Sequence, residues 1–233
     1  MALFYAPQIE EGWELPDDEA AHCLRVLRLG VGDELDITDG KGNFYKAEIS
    51  SIAGKRCYVK AKEVIRMQKG WKGHLHIAIA PTKNLDRIEW MTEKAVEIGL
   101  DELTFLNCRF SERKVIKTER IERIVVSAMK QSLKYSKPLV GEMTDFKKFV
   151  SQERPGEKYI AHCHEDEKNL LKEIHPAGCD ATILIGPEGD FSPEEVKMAI
   201  EAGFKPVSLG NSRLRTETAA LAACHILMLK NEK

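Results

Sequence analysis

Four charged side chains stand out by their neighbours: Glu188, Arg213, Arg215 and Glu217. Glu188 lies between two glycines in Gly186-Pro187-Glu188-Gly189-Asp190-Phe191-Ser192-Pro193-Glu194-Glu195. The others fall within Leu209-Gly210-Asn211-Ser212-Arg213-Leu214-Arg215-Thr216-Glu217-Thr218-Ala219. Glycines let backbone groups approach a ligand closely. Arginines supply fixed positive charge on a planar array of donors, and carboxylates accept protons. That set of groups suits the binding of a small molecule.

Ordinary helix chemistry accounts for part of both stretches. Ser192 followed by Glu195 forms a capping box, with Pro193 at the first helical position. Thr216 can cap the helix that follows it, and Glu217 in the first turn suits the helix dipole. Glu188, Arg213 and Arg215 are left over, and Glu217 is only partly explained.

The elements that must position these residues are strands. Residues 181–185 and 206–209 are apolar runs, each ending in a glycine-containing loop that opens a helix. In a parallel sheet such loops collect at the C-terminal edge, where ligands bind. The rest of residues 71–233 repeats the pattern. Strands are expected at 74–80, 102–107 and 158–162, and helices at 85–99, 118–134 and 219–229. Apolar residues at helical spacing (Ile88, Met91, Ala95 and Ile98; Ile121, Ile124, Val125, Ala128 and Met129) mark two inward faces. Thr118 is the expected N-cap of the second of these helices. The pattern is that of an α/β domain with a mostly parallel sheet.

Residues 1–70 read differently. Short alternating runs at 34–38, 44–52 and 56–65, separated by glycine turns, suggest a small β-barrel. A helix over 18–27 would turn Ala21, Leu24 and Leu27 inward and carry Arg25 and Arg28. A polar segment from Met67 to Gly73 links the two domains.

Composition narrows the function. The 233 residues hold 35 Lys and Arg against 37 Asp and Glu, a net charge of −2, so the chain is not a uniformly basic nucleic-acid coat. Positive charge is nonetheless concentrated: residues 109–148 carry eleven basic and five acidic side chains. Such a surface suits a polyanionic substrate. Six scattered cysteines without a C-x-x-C pair fit reduced thiols in the cytoplasm. Neither G-x-G-x-x-G nor G-x-x-x-x-G-K-[ST] is present, which weighs against hydride transfer and phosphate-cradling NTPase chemistry. His162-Cys163-His164 has no second ligand pair at useful spacing, so no metal is expected.

The pairing of Leu184-Ile185-Gly186-Pro187-Glu188-Gly189, Phe191-Ser192 and Glu195 with Leu209-Gly210, Leu214-Arg215 and Glu217-Thr218-Ala219 resembles the RsmE family of bacterial 16S ribosomal RNA uridine-N3 methyltransferases, within the SPOUT superfamily. The likeness covers the whole chain. His22-Cys23-Leu24-Arg25-Val26-Leu27-Arg28-Leu29 is similar to an N-terminal family segment. Lys83 with Glu93-Lys94-Ala95-Val96-Glu97-Ile98-Gly99, Ser111-Glu112-Arg113 and Lys130-Gln131-Ser132 also match. Asp190 departs from a usual glycine, Ser212 or its neighbour from a common arginine, and Leu133-Lys134 from a usual Gly-Arg.

The resemblance implies a C-terminal α/β domain with a deep trefoil knot and a PUA-like N-terminal β-barrel that binds RNA. It implies S-adenosyl-L-methionine as cofactor, held by Ile185, Gly186, Pro187, Glu188, Gly189, Leu209, Gly210, Leu214, Arg215, Thr216 and Thr218. Arg215 would stabilise the uracil anion, and Glu217 or Glu188 would accept the N3 proton or serve as a backbone cap. Arg25, Arg28, Arg109, Arg113, Lys114 and Lys130 would meet RNA phosphates. The implied enzyme is a cytoplasmic homodimer acting on the small ribosomal subunit, with no membrane or DNA partner. Three other readings stay open: the same chemistry on another RNA, a non-catalytic ribosome-assembly factor, and a nucleotide-dependent oxidoreductase.

Overall fold

The computed structural model describes residues 2–164 and 168–232. The chain forms two compact units, Met1–Lys69 with Val126–Lys137, and Gly70–Val125 with Pro138–Lys233.

The first unit holds β1 (Leu3–Tyr5), α1 (Asp17–Ala21), β2 (Glu34–Thr38), β3 (Asn43–Ala53) and β4 (Arg56–Arg66). The sheet order is β1-β2-β3-β4. β1 pairs with β2 in parallel, and the later pairs are antiparallel. The β2–β3 turn is tied by Asp39, whose Oδ1 accepts from the backbone of Lys41 at 2.7 Å and of Asn43 at 3.1 Å. Among the described residues the four strands do not close on themselves. The barrel-like wall is instead extended by segment 13–15, where Leu15 N donates to Cys57 O at 2.9 Å and Val59 N to Trp13 O at 2.8 Å. Alternate residues, including Leu35, Ile37, Tyr45, Ala47, Ile49, Cys57 and Val59, face one core with Phe4 and Ile9, as period-two alternation requires.

The helical face expected at Ala21, Leu24 and Leu27 is displaced. α1 runs into a π-helical turn over His22–Val26, with Leu27 N bonded to His22 O. That wider turn rotates the following side chains. Ala20 and Cys23 are buried, Leu24 is partly buried, and Leu27 is exposed. Residues 126–137 join this unit through Tyr135, whose carbonyl accepts from Gly42 N at 2.9 Å and Thr38 Oγ1 at 3.0 Å.

In chain order the second unit contains β5 (Leu75–Ile79), α2 (Leu85–Ile98), β6 (Glu102–Asn107) and the start of α3 (Thr118–Gln131). There follow β7 (Leu139–Asp145), α4 (Phe146–Val150), β8 (Glu157–Ala161), β9 (Asn169–Leu170) and α5 (Leu171–Ile174). It ends with β10 (Ala181–Ile185), α6 (Pro193–Glu201), β11 (Lys205–Ser208) and α7 (Thr216–Asn231). The seven strands lie in the order β7-β6-β5-β10-β8-β11-β9, and every neighbouring pair is parallel. β5 and β10 are buried at every position, which explains why they are apolar apart from His76 and Thr182. Phe146, Phe149, Phe191 and Phe204 pack with Ala78 and Leu184 in one core cluster, while α7 lies against β5, β10 and α2. In α2 the inward residues are Ile88, Met91, Thr92, Ala95 and Val96, and Ile98 is only partly covered. Thr118 does not cap α3; it is the first helical residue, and its hydroxyl donates to Glu142 Oε1 at 3.1 Å.

The sheet also buries histidines. His76 is 2% exposed, with Nε2 2.9 Å from Thr104 Oγ1, and burial lowers its pKa to about 4. His175, buried between Tyr159 and Asn231, is shifted down for the same reason. Protons therefore bind the unfolded chain more readily, and stability is full above about pH 6.5 and falls as the pH drops toward 4. We expect the unfolding free energy to fall between pH 7 and pH 5, by roughly 2 kcal/mol for one such histidine, and the urea midpoint with it. His76→Gln should flatten that dependence, as chemical denaturation at the two pH values would reveal.

Candidate functional site

Because the strands are parallel, the loops after β5, β6, β8, β10 and β11 all leave the same edge of the sheet. Two of them form a cleft. A cavity of about 530 Å³ is lined by the 185–190 loop, by Arg213–Glu217, and by Arg87 and Cys163. A second, of about 510 Å³, is lined by residues 207–214 with Lys168. Both are lined by Ala161, Cys163, Arg213, Leu214 and Ala219, so they are two lobes of one site, each within the range of small-molecule pockets.

The first loop is fixed by its carboxylates. Asp190 takes a left-handed conformation, φ 64°, which aspartate tolerates better than most residues. Its Oδ2 accepts from Cys163 N at 2.7 Å and its Oδ1 from Phe191 N at 2.8 Å. Asp190 thus fills a position that favours glycine and ties the loops after β8 and β10 together. Ser192 and Glu195 make the expected capping box, and Glu195 Oε1 also accepts from Arg109 N at 2.8 Å. Glu188, unexplained by turn chemistry, accepts from Lys83 N at 2.9 Å through Oε1. Its exposed carboxylate fastens this loop to the one after β5.

The second loop turns at Gly210, φ 132°, where Ser208 Oγ accepts from Gly210 N at 3.2 Å. Thr216 does not cap α7. Arg215 occupies the cap position and makes no side-chain cap bond, while Thr216 is the first helical residue and is buried. The first N–H groups of α7 are therefore left without a side-chain cap beside the cleft. Arg213 and Arg215 are exposed at its lining, and their side chains make no hydrogen bond or ion pair among the described residues. Glu217 is 6% exposed, with Oε1 3.6 Å from Arg87 Nη1 and Oε2 without a hydrogen-bond partner. A buried, half-satisfied carboxylate is costly, and a donor on a bound molecule would complete it.

Ile185, Gly186, Pro187, Glu188, Gly189, Leu214, Arg215 and Thr216 line the first lobe, and Leu209 and Gly210 the second. Thr218 lines neither and points from the exposed side of α7. No local motif marks Arg87 or Cys163; each comes from a separate element, α2 and the loop after β8. The six basic residues expected at RNA divide. Arg25, Arg28 and Lys114 are exposed without partners among the described residues. Arg109 is exposed and 3.6 Å from Glu194. Arg113 is committed to the Thr82 and Lys83 carbonyls, at 3.2 and 2.5 Å. Lys130 is ion-paired with the buried Glu19. Among the described residues no three His, Cys, Asp or Glu side chains gather as a metal site.

Residues 69–228 match the family described as RNA methyltransferase domain, and residues 15–62 match the RNA methyltransferase PUA domain. The ribosomal RNA small subunit methyltransferase E of Aquifex aeolicus is 32% identical, over 92% of this chain and 93% of the relative. A probable rRNA-methyltransferase from Porphyromonas gingivalis has a crystal structure superposing with a TM-score of 0.93, at 49% identity, covering 98% of this chain and 99% of that one. The ribosomal RNA small subunit methyltransferase E of Neisseria gonorrhoeae, solved bound to S-adenosyl methionine, superposes with a TM-score of 0.87 at 26% identity, covering 98% and 97%.

The Asp190 bridge is open to direct test. Asp190→Ala removes both hydrogen bonds and leaves a Cβ in the left-handed region, at an expected cost of about 2–3 kcal/mol. Asp190→Gly removes the bonds but relieves the backbone, so it should fall between alanine and the native residue. Urea denaturation of the three proteins gives the ranking.

Proposed function

Because the chain belongs to the ribosomal RNA small subunit methyltransferase E family of RNA methyltransferases, we propose that it transfers a methyl group from S-adenosyl-L-methionine to N3 of a uridine in 16S ribosomal RNA. The observation that carries this reading is the two-lobed cleft, in which unpaired Arg215 and the half-satisfied Glu217 line one wall.

The cleft fits the cofactor. Its lobes are large enough for a nucleoside and an amino-acid tail, glycine-containing loops line both, and Glu217 Oε2 lacks a donor. Ile185–Gly189, Leu209, Gly210, Leu214 and Thr216 would hold it. Thr218, exposed outside both lobes, would act only through α7. The bound cofactor supplies an electrophilic methyl group.

The chain's own residues must do the rest. Uridine N3 carries a proton and is a poor nucleophile until that proton leaves. Arg215 places a fixed planar cation where uracil charge develops. Glu217, buried at the cleft with Oε2 unpartnered, is assigned as the proton acceptor, whereas the exposed Glu188 holds Lys83 N through Oε1. Glu188 keeps the loop in place, and the loops align the reacting groups.

The finer architecture belongs to the same reading. Residues 71–233 would form the catalytic domain, with a trefoil knot suggested by the insertion of β10 between β5 and β8 and of β11 between β8 and β9. Residues 1–70 would form the PUA-like RNA-binding domain, meeting phosphates through Arg25 and Arg28. Arg109 and Lys114 would add phosphate contacts from the catalytic domain, and Arg113 and Lys130 would support their own loops and helix. The enzyme would act as a homodimer on the small ribosomal subunit in the cytoplasm. No helix among the described residues is long and apolar enough to cross a membrane.

Mass spectrometry of 16S RNA from a strain lacking this gene should show one missing N3-methyluridine, restored by the native gene. Arg215→Ala should not restore it; its kcat should fall about 10²–10³-fold with cofactor affinity by calorimetry nearly unchanged. An unaltered methylation pattern in the deletion strain would remove the proposal.

A further inference from the structure

The turn after β6 holds a large apolar side chain out of the fold and is fastened to do so. Phe110 is 47% exposed. Ser111 Oγ accepts from Cys108 N at 3.0 Å, and Ser111 N donates to Cys108 O at 3.1 Å. Cys108 and Ser111 are buried, so both feet of the turn are anchored. Arg109 N is held by Glu195 Oε1, and Arg113 grips the neighbouring carbonyls. Arg109 and Phe110 are left at the tip of a turn with little freedom to retract.

That tip stands against the cleft. A methyl group added to Gly189 would come within 3.2 Å of Phe110 Cβ, so the glycine lets the turn rest on the loop that lines the first lobe. The Arg109 guanidinium lies 5.9 Å from the Phe110 ring centre, and Lys114 is exposed nearby in sequence without a partner among the described residues. The Arg109 pair with Glu194 is long and exposed, the kind of ion pair worth little in water.

Resting on the RNA methyltransferase reading above, we propose that Phe110, with Arg109 beside it, is a stacking platform for an unpaired nucleobase adjacent to the nucleotide that enters the cleft. Every base offers a π-face to an aromatic ring, and an arginine beside that ring adds attraction to both base and phosphate. The Arg109 cation beside Phe110 complements a nucleic-acid strand and not an apolar protein surface. Stacking there would hold the strand while the target base is seated beside Gly189.

The test compares Phe110→Ala, Phe110→Leu and Phe110→Trp in the full chain. Methyl transfer is measured on small ribosomal subunits from the deletion strain. Binding is measured with a single-stranded RNA carrying 2-aminopurine next to a uridine. Alanine should raise the RNA KM about five- to a hundredfold, with kcat and cofactor affinity little changed. Leucine, which keeps bulk without the ring, should resemble alanine, and tryptophan should restore the native value. Fluorescence of the 2-aminopurine should be quenched by the native chain and not by Phe110→Ala. A leucine variant equal to native would overturn the platform, as would loss of cofactor affinity in Phe110→Ala, which would make the ring a buttress for the Gly189 loop. A raised KM for subunits with unchanged oligonucleotide quenching would also overturn it, since Phe110 would then meet ribosomal protein. A native chain that transfers no methyl group removes the function proposed above, and the quenching comparison still decides the platform.

Discussion

All seven strands of the larger sheet run the same way, and the site depends on that. A parallel sheet returns the chain by helices and releases every strand into a loop at one edge. Full burial of β5 and β10 fixes the centre of the sheet. Loops separated by more than twenty residues thereby become neighbours. An antiparallel arrangement of the same sequences would send the loops after β10 and β8 to opposite edges, and Asp190 could not reach Cys163.

Position alone does not make the loops rigid, and the carboxylates supply the rest. Asp190 joins the β10 loop to the β8 loop, Glu188 joins it to the β5 loop, and Glu195 joins the α6 cap to the β6 turn. These bonds end on backbone N–H groups that would otherwise lack partners at loop positions. Acid groups consumed in this way are unavailable for chemistry. On the two loops after β10 and β11 and the start of α7, the charges left uncommitted, Arg213, Arg215 and one oxygen of Glu217, line the cleft. The division between scaffold and reactive charge is thus visible in the hydrogen bonds.

Much of this is legible in the sequence where one local rule dominates. The strands β6 and β10 have the bounds expected from the sequence, 102–107 and 181–185, because their central residues are buried on both faces and are mostly apolar. The Ser192–Glu195 capping box forms as its spacing requires. β7, Leu139–Asp145, is not legible, since a mostly half-exposed strand has neither an apolar run nor clean alternation. β9, of two residues, carries no pattern at all. A threonine near a helix start is equally deceptive: Thr118 and Thr216 each lie one position inside their helices. Long-range partners are beyond reach because no local rule governs them. Nothing near Arg113 or Lys130 in the chain announces the Thr82 carbonyl or buried Glu19, and Arg87 joins the cleft only because α2 packs beside α7.

The central claim is that the two loops form one cofactor site. Hydrogen–deuterium exchange of the chain with and without S-adenosyl-L-methionine tests it directly. Slowed exchange at residues 186–190 and 209–216 together, with the N-terminal four-stranded sheet unchanged, is the expected result. Exchange that stays the same in both loops, or slows in only one of them, would contradict the account.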